Sequence, residues 1–376
     1  MSTIIRTRSP FFIRTPQESS SNLSYFSMTI QIYEGTGGVL PTCGGIFGSF
    51  TFKKKPLLNE TSVTFEISEL INDHIQQTYN GTLSTSALTQ SVWVSVLTSA
   101  RESDGTIIGT ATSNTYLAQE GFNKFKEGVN YTTEPIAMIS GDYYEYHKGS
   151  SINLPINKER VDQVVFKLNG STITTSTITD NNNSGQKIAY LSNPTSSQQY
   201  DQAVITYDTS STKSITFKEI EECKYPVQKI TFLNRWGALQ DLFFHKKSVE
   251  SLDTTSENFN RSTFKARTAT LGERDGDCEE TVTFNTYSTT AHAKKVHNAN
   301  GTESISLNSG FVDERMNPYF EELMVSEHIW LTDDENVIYP VTLKDQSFTL
   351  KTGLNDRLIN YTMNFEKAFN FINDIA

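Results

Sequence analysis

Apolar residues fall at alternate positions through much of this chain, the period of a half-buried β-strand. Within Ser24–Tyr33 the residues Tyr25, Phe26, Met28, Ile30 and Ile32 mostly alternate with polar neighbours, and Ser49–Lys54 and Thr61–Ile67 continue the pattern. Ser91–Ser99 and Gly105–Tyr116 flank Asp104-Gly105, and Val161–Leu168 and Thr172–Thr179 flank Asn169-Gly170. Both arrangements predict hairpins. Lys187–Leu191, Ala203–Tyr207 and Lys213–Ile220 are further strands, with turns or polar loops at Asn181–Gly185 and Ser192–Gln202.

The strongest hairpin signal is Lys229–Lys247. Ile230 and Phe232 alternate before Asn234-Arg235-Trp236-Gly237; Leu239, Leu242, Phe243 and Phe244 resume the apolar pattern. Gly237 is expected at positive φ, and the Trp236 ring is expected to cover the end of the sheet. Ser248–Phe264 reads as a polar wrap over the surface. Thr281–Ser288, Ser304–Leu307, His328–Leu331, Ile338–Leu343 and Ser347–Thr352 read as strands. After a turn at Leu354-Asn355-Asp356, the last strand sets Ile359, Tyr361, Met363 and Phe365 on one face, which must be buried.

Two stretches have helical spacing. Ser68–Tyr79 carries Leu70, Ile71, His74 and Ile75 behind a Ser68 cap, with His74 a packed or rim histidine. Residues 318–326 follow an Asn317 cap with Pro318 in the first turn; Tyr319, Phe320, Leu323 and Met324 form the apolar face. The expected fold is mainly β: tandem immunoglobulin- or fibronectin-like β-sandwiches at 1–130 and 131–222, then an α+β domain at 223–376 holding hairpin 229–247 and helix 318–326.

Composition agrees with sheets. The chain has 376 residues, enough for two or three domains, and its 23 Phe and 16 Tyr suit pleated surfaces. The net charge of −11 argues against a general grip on nucleic acid. The compact basic runs, Lys53-Lys54-Lys55 and Lys246-Lys247, read as solvated strand ends or edge guards. Cys43, Cys223 and Cys278 form neither a disulfide framework nor a metal knuckle, which fits a reducing compartment. The N-terminal MSTIIRTRSPFFIRTP lacks the order of a secretory signal, and no apolar run reaches the length of a spanning helix, so a soluble protein with no membrane partner is expected.

The sequence carries no catalytic signature of a familiar kind. The Gly-rich loop Gly35–Gly48 lacks the phosphate-loop order and its lysine. Counted from Asp275, the acidic run Glu273–Glu280 places Glu280 where a calcium loop needs glycine and Thr286 where it needs glutamate. His292 and His297 lack a third ligand at usable spacing; His245 ends a hairpin and His328 lies on a strand. No catalytic residue, cofactor or metal is expected.

Four segments occur in order: Ser9-Pro10-Phe11-Phe12-Ile13; Phe232-Leu233-Asn234-Arg235-Trp236-Gly237; Leu307-Asn308-Ser309-Gly310-Phe311; and Lys351-Thr352-Gly353-Leu354-Asn355-Asp356-Arg357-Leu358-Ile359-Asn360-Tyr361. In this order the chain resembles a family of virion structural proteins of tailed bacteriophages, particularly those of Bacteroidota-type hosts. The resemblance covers the N-terminal and C-terminal parts and is weakest at 131–222. It implies a non-enzymatic particle component in the tail, collar or baseplate, assembled in the host cytoplasm, with other virion proteins as partners.

Independently, small β modules without a pocket motif suit a repeated subunit in a ring-forming homo-oligomer. The candidate interaction residues are Phe11 and Phe12 near one end, Phe369 and Phe371 near the other, and Tyr143, Tyr144, Tyr146 and Trp236 between. A carbohydrate-binding module of a tail fibre would use the same tyrosines and Trp236 as stacking platforms, and a polysaccharide-degrading enzyme would need two convergent carboxylates in a groove.

Overall fold

The structure is a computed structural model describing residues 3–34, 46–83, 91–133, 135–150, 152–179, 188–192, 199–271, 280–353 and 358–372. It is mainly β. The turns expected at Asn181–Gly185 and Leu354-Asn355-Asp356, most of the Gly-rich and acidic loops, Cys43 and Cys278 lie outside the described residues.

The first part contains β1 (Ile4–Arg6), β2 (Phe12–Arg14), β3 (Tyr25–Tyr33), β4 (Ile46–Lys54), β5 (Thr64–Glu66), α1 (Ser68–Asn72), β6 (Ser91–Arg101) and β7 (Ile107–Gln119). One sheet has the order β1-β7-β6-β3-β4, with β1 parallel to β7; β2 and β5 pair separately. The alternation in β3 and β6 buries Phe26, Met28, Ile30 and Ile32 with Val92, Val94 and Val96. The second layer brings Ile13, Val63, Phe65, Ile67, Ile71 and Ile75 onto them. Full burial of each such aliphatic side chain stabilises by about 1.5–3 kcal/mol. The helix at Ser68 is shorter than predicted: it ends at Asn72, and the chain continues through turns closed by His74 N–H to Ile71 O (3.0 Å) and Ile75 N–H to Asn72 O (3.1 Å). Ile75 thus reaches the core without a longer helix.

The second part contains β8 (Tyr143–His147), β9 (Asn153–Asn157), β10 (Val161–Leu168), β11 (Ser171–Thr177), β12 (Ile188–Ser192), β13 (Gln202–Tyr207) and β14 (Ser211–Ile220). Its sheet has the order β11-β10-β13-β14-β8, with β14 and β8 parallel, and β12 pairs β9 apart from it. Asn169 (φ 48°) and Gly170 (φ 77°) form the two-residue turn between β10 and β11, as a hairpin of matching twist requires. An aromatic core follows, with Tyr146 stacked on Tyr200 (4.9 Å) and both packed edgewise on Phe217.

The third part contains β15 (Gln228–Leu233), β16 (Leu239–Phe244), β17 (Val249–Asn260), β18 (Phe264–Leu271), β19 (Glu280–Tyr287), β20 (Lys294–Val312), α2 (Asn317–Met324), β21 (Ile329–Thr332), β22 (Ile338–Leu343) and β23 (Ile359–Lys367). The order β16-β15-β21-β22-β23-β20 ends with β17 beside β20, while β18 and β19 form a separate ribbon. Ile359, Tyr361, Met363 and Phe365 are buried along one face of β23.

Three expectations are corrected here. Ser248–Phe264 is not a wrap, because Val249–Asn260 pairs into a strand. Ser347–Thr352 makes no ladder; its Phe348 instead packs on Tyr361 (4.8 Å), so the alternation reflects an extended segment lying on the core. Asn317 does not cap α2: its amide donates to Lys351 O (2.8 Å), its carbonyl accepts from the Tyr361 hydroxyl (2.6 Å), and Asp313 accepts from Arg315 N–H (3.0 Å) in the preceding 3-10 turn.

Each of the three larger sheets draws its strands from one of the segments 1–130, 131–222 and 223–376. Packing divides the chain into two compact units. The first comprises Met1–Val249 and Ser306–Phe365; the second comprises Glu250–Ile305 and Glu366–Ala376.

Candidate interaction surfaces

In the first unit, the Asn234–Gly237 turn is an internal joint. Asn234 is buried; its side-chain oxygen accepts from the Trp236 (2.9 Å) and Ala238 (3.1 Å) amides, and its nitrogen donates to Met138 O (2.6 Å) and Gln240 Oε1 (2.9 Å). A short polar side chain that accepts from its own turn is what this conformation selects for. The turn docks on the end of β7, where Phe122 N–H donates to Arg235 O (3.0 Å). Trp236 meets two guanidinium groups, Arg6 at 4.6 Å and Arg235 at 4.4 Å from its ring centroid. These cation–π contacts tie the half-buried ring to β1 and to its own turn, so the first and third sheets are joined at this point.

The buried ionisable groups around the joint are hydrogen-bonded. Arg235 donates to Glu127 (2.7 Å), which holds that carboxyl below its ordinary range. Glu322 is buried on α2 and accepts from Ser140 Oγ (2.7 Å) and Arg235 N–H (3.2 Å); burial raises its pKa despite these bonds. Glu120, also buried, meets His328 Nε2 at 3.1 Å. That bond raises the histidine's pKa, with burial opposing it.

The predicted interaction residues separate into two groups. Tyr143, Tyr144 and Tyr146 are all buried, which corrects the expectation that they present a surface or stack on sugars. β8 is covered on both faces: on one, Tyr144 and Tyr146 meet Phe217 and Tyr144 donates to Asp241 O (2.6 Å); on the other, Tyr143 and Glu145 are buried and the Arg315 guanidinium lies 3.7 Å from the Tyr143 ring centroid, while Tyr319 donates to Tyr143 O (2.8 Å). Burial pushes the Tyr146 hydroxyl up to about 12. Trp236 is half-buried and in contact with Arg6 and Arg235. Phe11 packs edgewise on Tyr116 (5.4 Å) against the first core. Phe12, Phe369 and Phe371 are exposed.

The second unit is exposed over most of its described residues. β17 is exposed at every residue, and of the described side chains of this unit only Gly301 and Ile305 are buried. Successive residues of a strand face opposite sides, so exposure throughout means that neither face of β17 is covered by another layer. Leu252, Phe259, Val296, Phe369, Phe371 and Ile372 are nonetheless apolar and exposed. The tail is held here by its backbone: Phe371 N–H donates to Gly301 O (2.7 Å), and Ile372 N–H donates to Asn300 Oδ1 (3.1 Å). Its rings stay outside.

Leu252, Phe259 and Val296 are the surface residues that sequence reasoning missed. They sit among Ser, Thr, Asn and Glu without a period of two, so only the observed ladder reveals them. Among the described residues no group of His, Cys, Asp or Glu is placed to hold a metal ion, and no helix is long and apolar enough to cross a membrane. Cys223 is an exposed free thiol. No protein-family model matches this chain, and no curated protein matches it.

Proposed function

We propose that this protein is a non-enzymatic structural subunit of a tailed-phage virion, in the tail, collar or baseplate, working through contacts between subunits. The observation that carries this reading is β17 of the second unit, which is exposed at every residue. A few strands without a buried apolar layer are marginal in water, because ladder hydrogen bonds replace bonds to water at little net gain. Apolar side chains on such strands gain stability when a neighbouring subunit covers them. The four sequence segments that resemble phage virion proteins supply the particle.

In this reading the partners are other virion proteins and further copies of the chain closed into a ring, with assembly in the host cytoplasm. The first two sheets, each with its two-stranded companion, are read as tandem immunoglobulin- or fibronectin-like sandwiches followed by an α+β domain. The test is quantitative mass spectrometry of purified particles. A copy number matching the rotational symmetry of a ring is expected; absence from the particle would sink the reading, and shell-scale copy numbers would move it to the capsid.

A further inference from the structure

In the second unit, the open end of the β18–β19 ribbon carries a concave site of about 800 Å³. Its lining includes Arg261, His292 and Lys295, the hydroxyls of Ser262 and Ser288, and the exposed ring of Tyr287. The backbone holds these groups together. Arg261 N–H donates to Ala293 O (2.7 Å), Ala291 N–H donates to Ser288 O (3.2 Å), and Ser288 Oγ lies 2.8 Å from Thr290 Oγ1. This keeps His292 next to the strand end that bears Arg261.

We propose that this site binds an acidic saccharide. Two permanent cations and an imidazole line one site, with no carboxylate among the described lining residues, although the chain as a whole carries −11. Like charges lining one site repel, and an anionic group relieves that repulsion while accepting charge-assisted hydrogen bonds. Arg261 offers the planar fork that matches a carboxylate or sulfate. Hydroxyls both donate and accept, as sugar hydroxyls require, and the tyrosine ring supplies a flat apolar platform with a polar tip. A free inorganic anion would leave the ring unused, and a nucleic-acid strand would call for a longer basic track.

This inference does not rest on the assembly reading, and binding is measured without assembly. The experiment is calorimetric titration of the full chain at low ionic strength with oligogalacturonate and dextran-sulfate oligomers. Their neutral counterparts, methyl-esterified oligogalacturonate and dextran, and inorganic phosphate serve as comparisons. At least one acidic oligomer should bind about tenfold or more tightly than its neutral counterpart and than phosphate. Added salt should weaken it. R261Q/K295Q should abolish binding, Y287A should weaken it several-fold, and K53Q/K54Q should leave it unchanged, with circular dichroism confirming that each variant is folded. If either single variant, R261Q or K295Q, must replace an unfolded double variant, it should weaken binding by itself. Equal binding of acidic and neutral oligomers, phosphate binding as tight as the oligomers, unchanged binding by the variants, or no binding at all would each overturn the proposal.

Discussion

A β-carbon placed on Gly237 would lie 2.2 Å from the carbonyl oxygen of Glu120, a residue more than a hundred positions earlier in the chain. Gly237 also sits at φ 77°, where side chains are strained. The hairpin turn and the end of β7 therefore approach as closely as two backbones can, and any side chain at position 237 forces them apart. Replacing Gly237 with alanine should destabilise the first unit by about 2–4 kcal/mol from strain and overpacking together. Chemical denaturation followed by tryptophan fluorescence checks this; an unchanged midpoint would contradict the joint.

His328 predicts a pH dependence in the same region. Its bond to buried Glu120 raises its folded pKa above the ordinary histidine value. Glu327, which also favours the charged form, and Arg8, which disfavours it, face the same ring. A raised folded pKa means the stabilisation is fully present below the unfolded value and is lost as pH rises through the folded one. Stability should therefore fall as pH climbs from near 6.5 into the alkaline range, and H328Q should flatten that limb. A wild-type curve that stays level there, with or without the substitution, would contradict the link.

His245 acts in the opposite sense. Burial at the end of β16, with Lys246 and His147 nearby, lowers its pKa to about 4. The native state holds this ring neutral while the unfolded chain protonates it, so its contribution is complete above the unfolded pKa and declines as pH falls from near 6.5 towards 4. H245Q should remove part of the acid limb seen in urea midpoints measured across that window. Were the acid limb identical in both proteins, the buried neutral ring would not be its source.

What the sequence makes legible follows from the range of each cause. Asn169-Gly170 determines its own turn, and the alternation in β23 reports its buried face directly, so both are readable locally. The burial of Tyr143, Tyr144 and Tyr146 is not, because their covering partners, Phe217, Asp241 and Tyr319, lie from 71 to 176 residues away, as positions 146 and 217 or 143 and 319 show. The Arg6–Trp236–Arg235 contact is hidden for the same reason. β17 was missed for a different one. Glu250, Asp253, Glu257 and Asn258 are poor strand formers, and an uncovered strand carries no hydrophobic period to read.

That uncovered strand yields the test that bears most directly on assembly. L252S/F259S/V296S removes apolar surface from the second unit, where these side chains are exposed. Because these side chains are exposed, the stability of the first unit should stay within about 0.5 kcal/mol of the wild type, the usual range for surface changes. Incorporation into particles, followed by mass spectrometry of virions carrying the variant, should fall severalfold, since each exposed apolar group covered by a neighbour contributes to association roughly in proportion to its buried area. Deletion of residues 368–376 should act in the same direction, because it removes Phe369, Phe371 and Ile372 together with the backbone bonds to Asn300 and Gly301. Particles that take up both variants at wild-type levels would show that these side chains meet solvent throughout the life of the protein, and the subunit reading would lose its principal support.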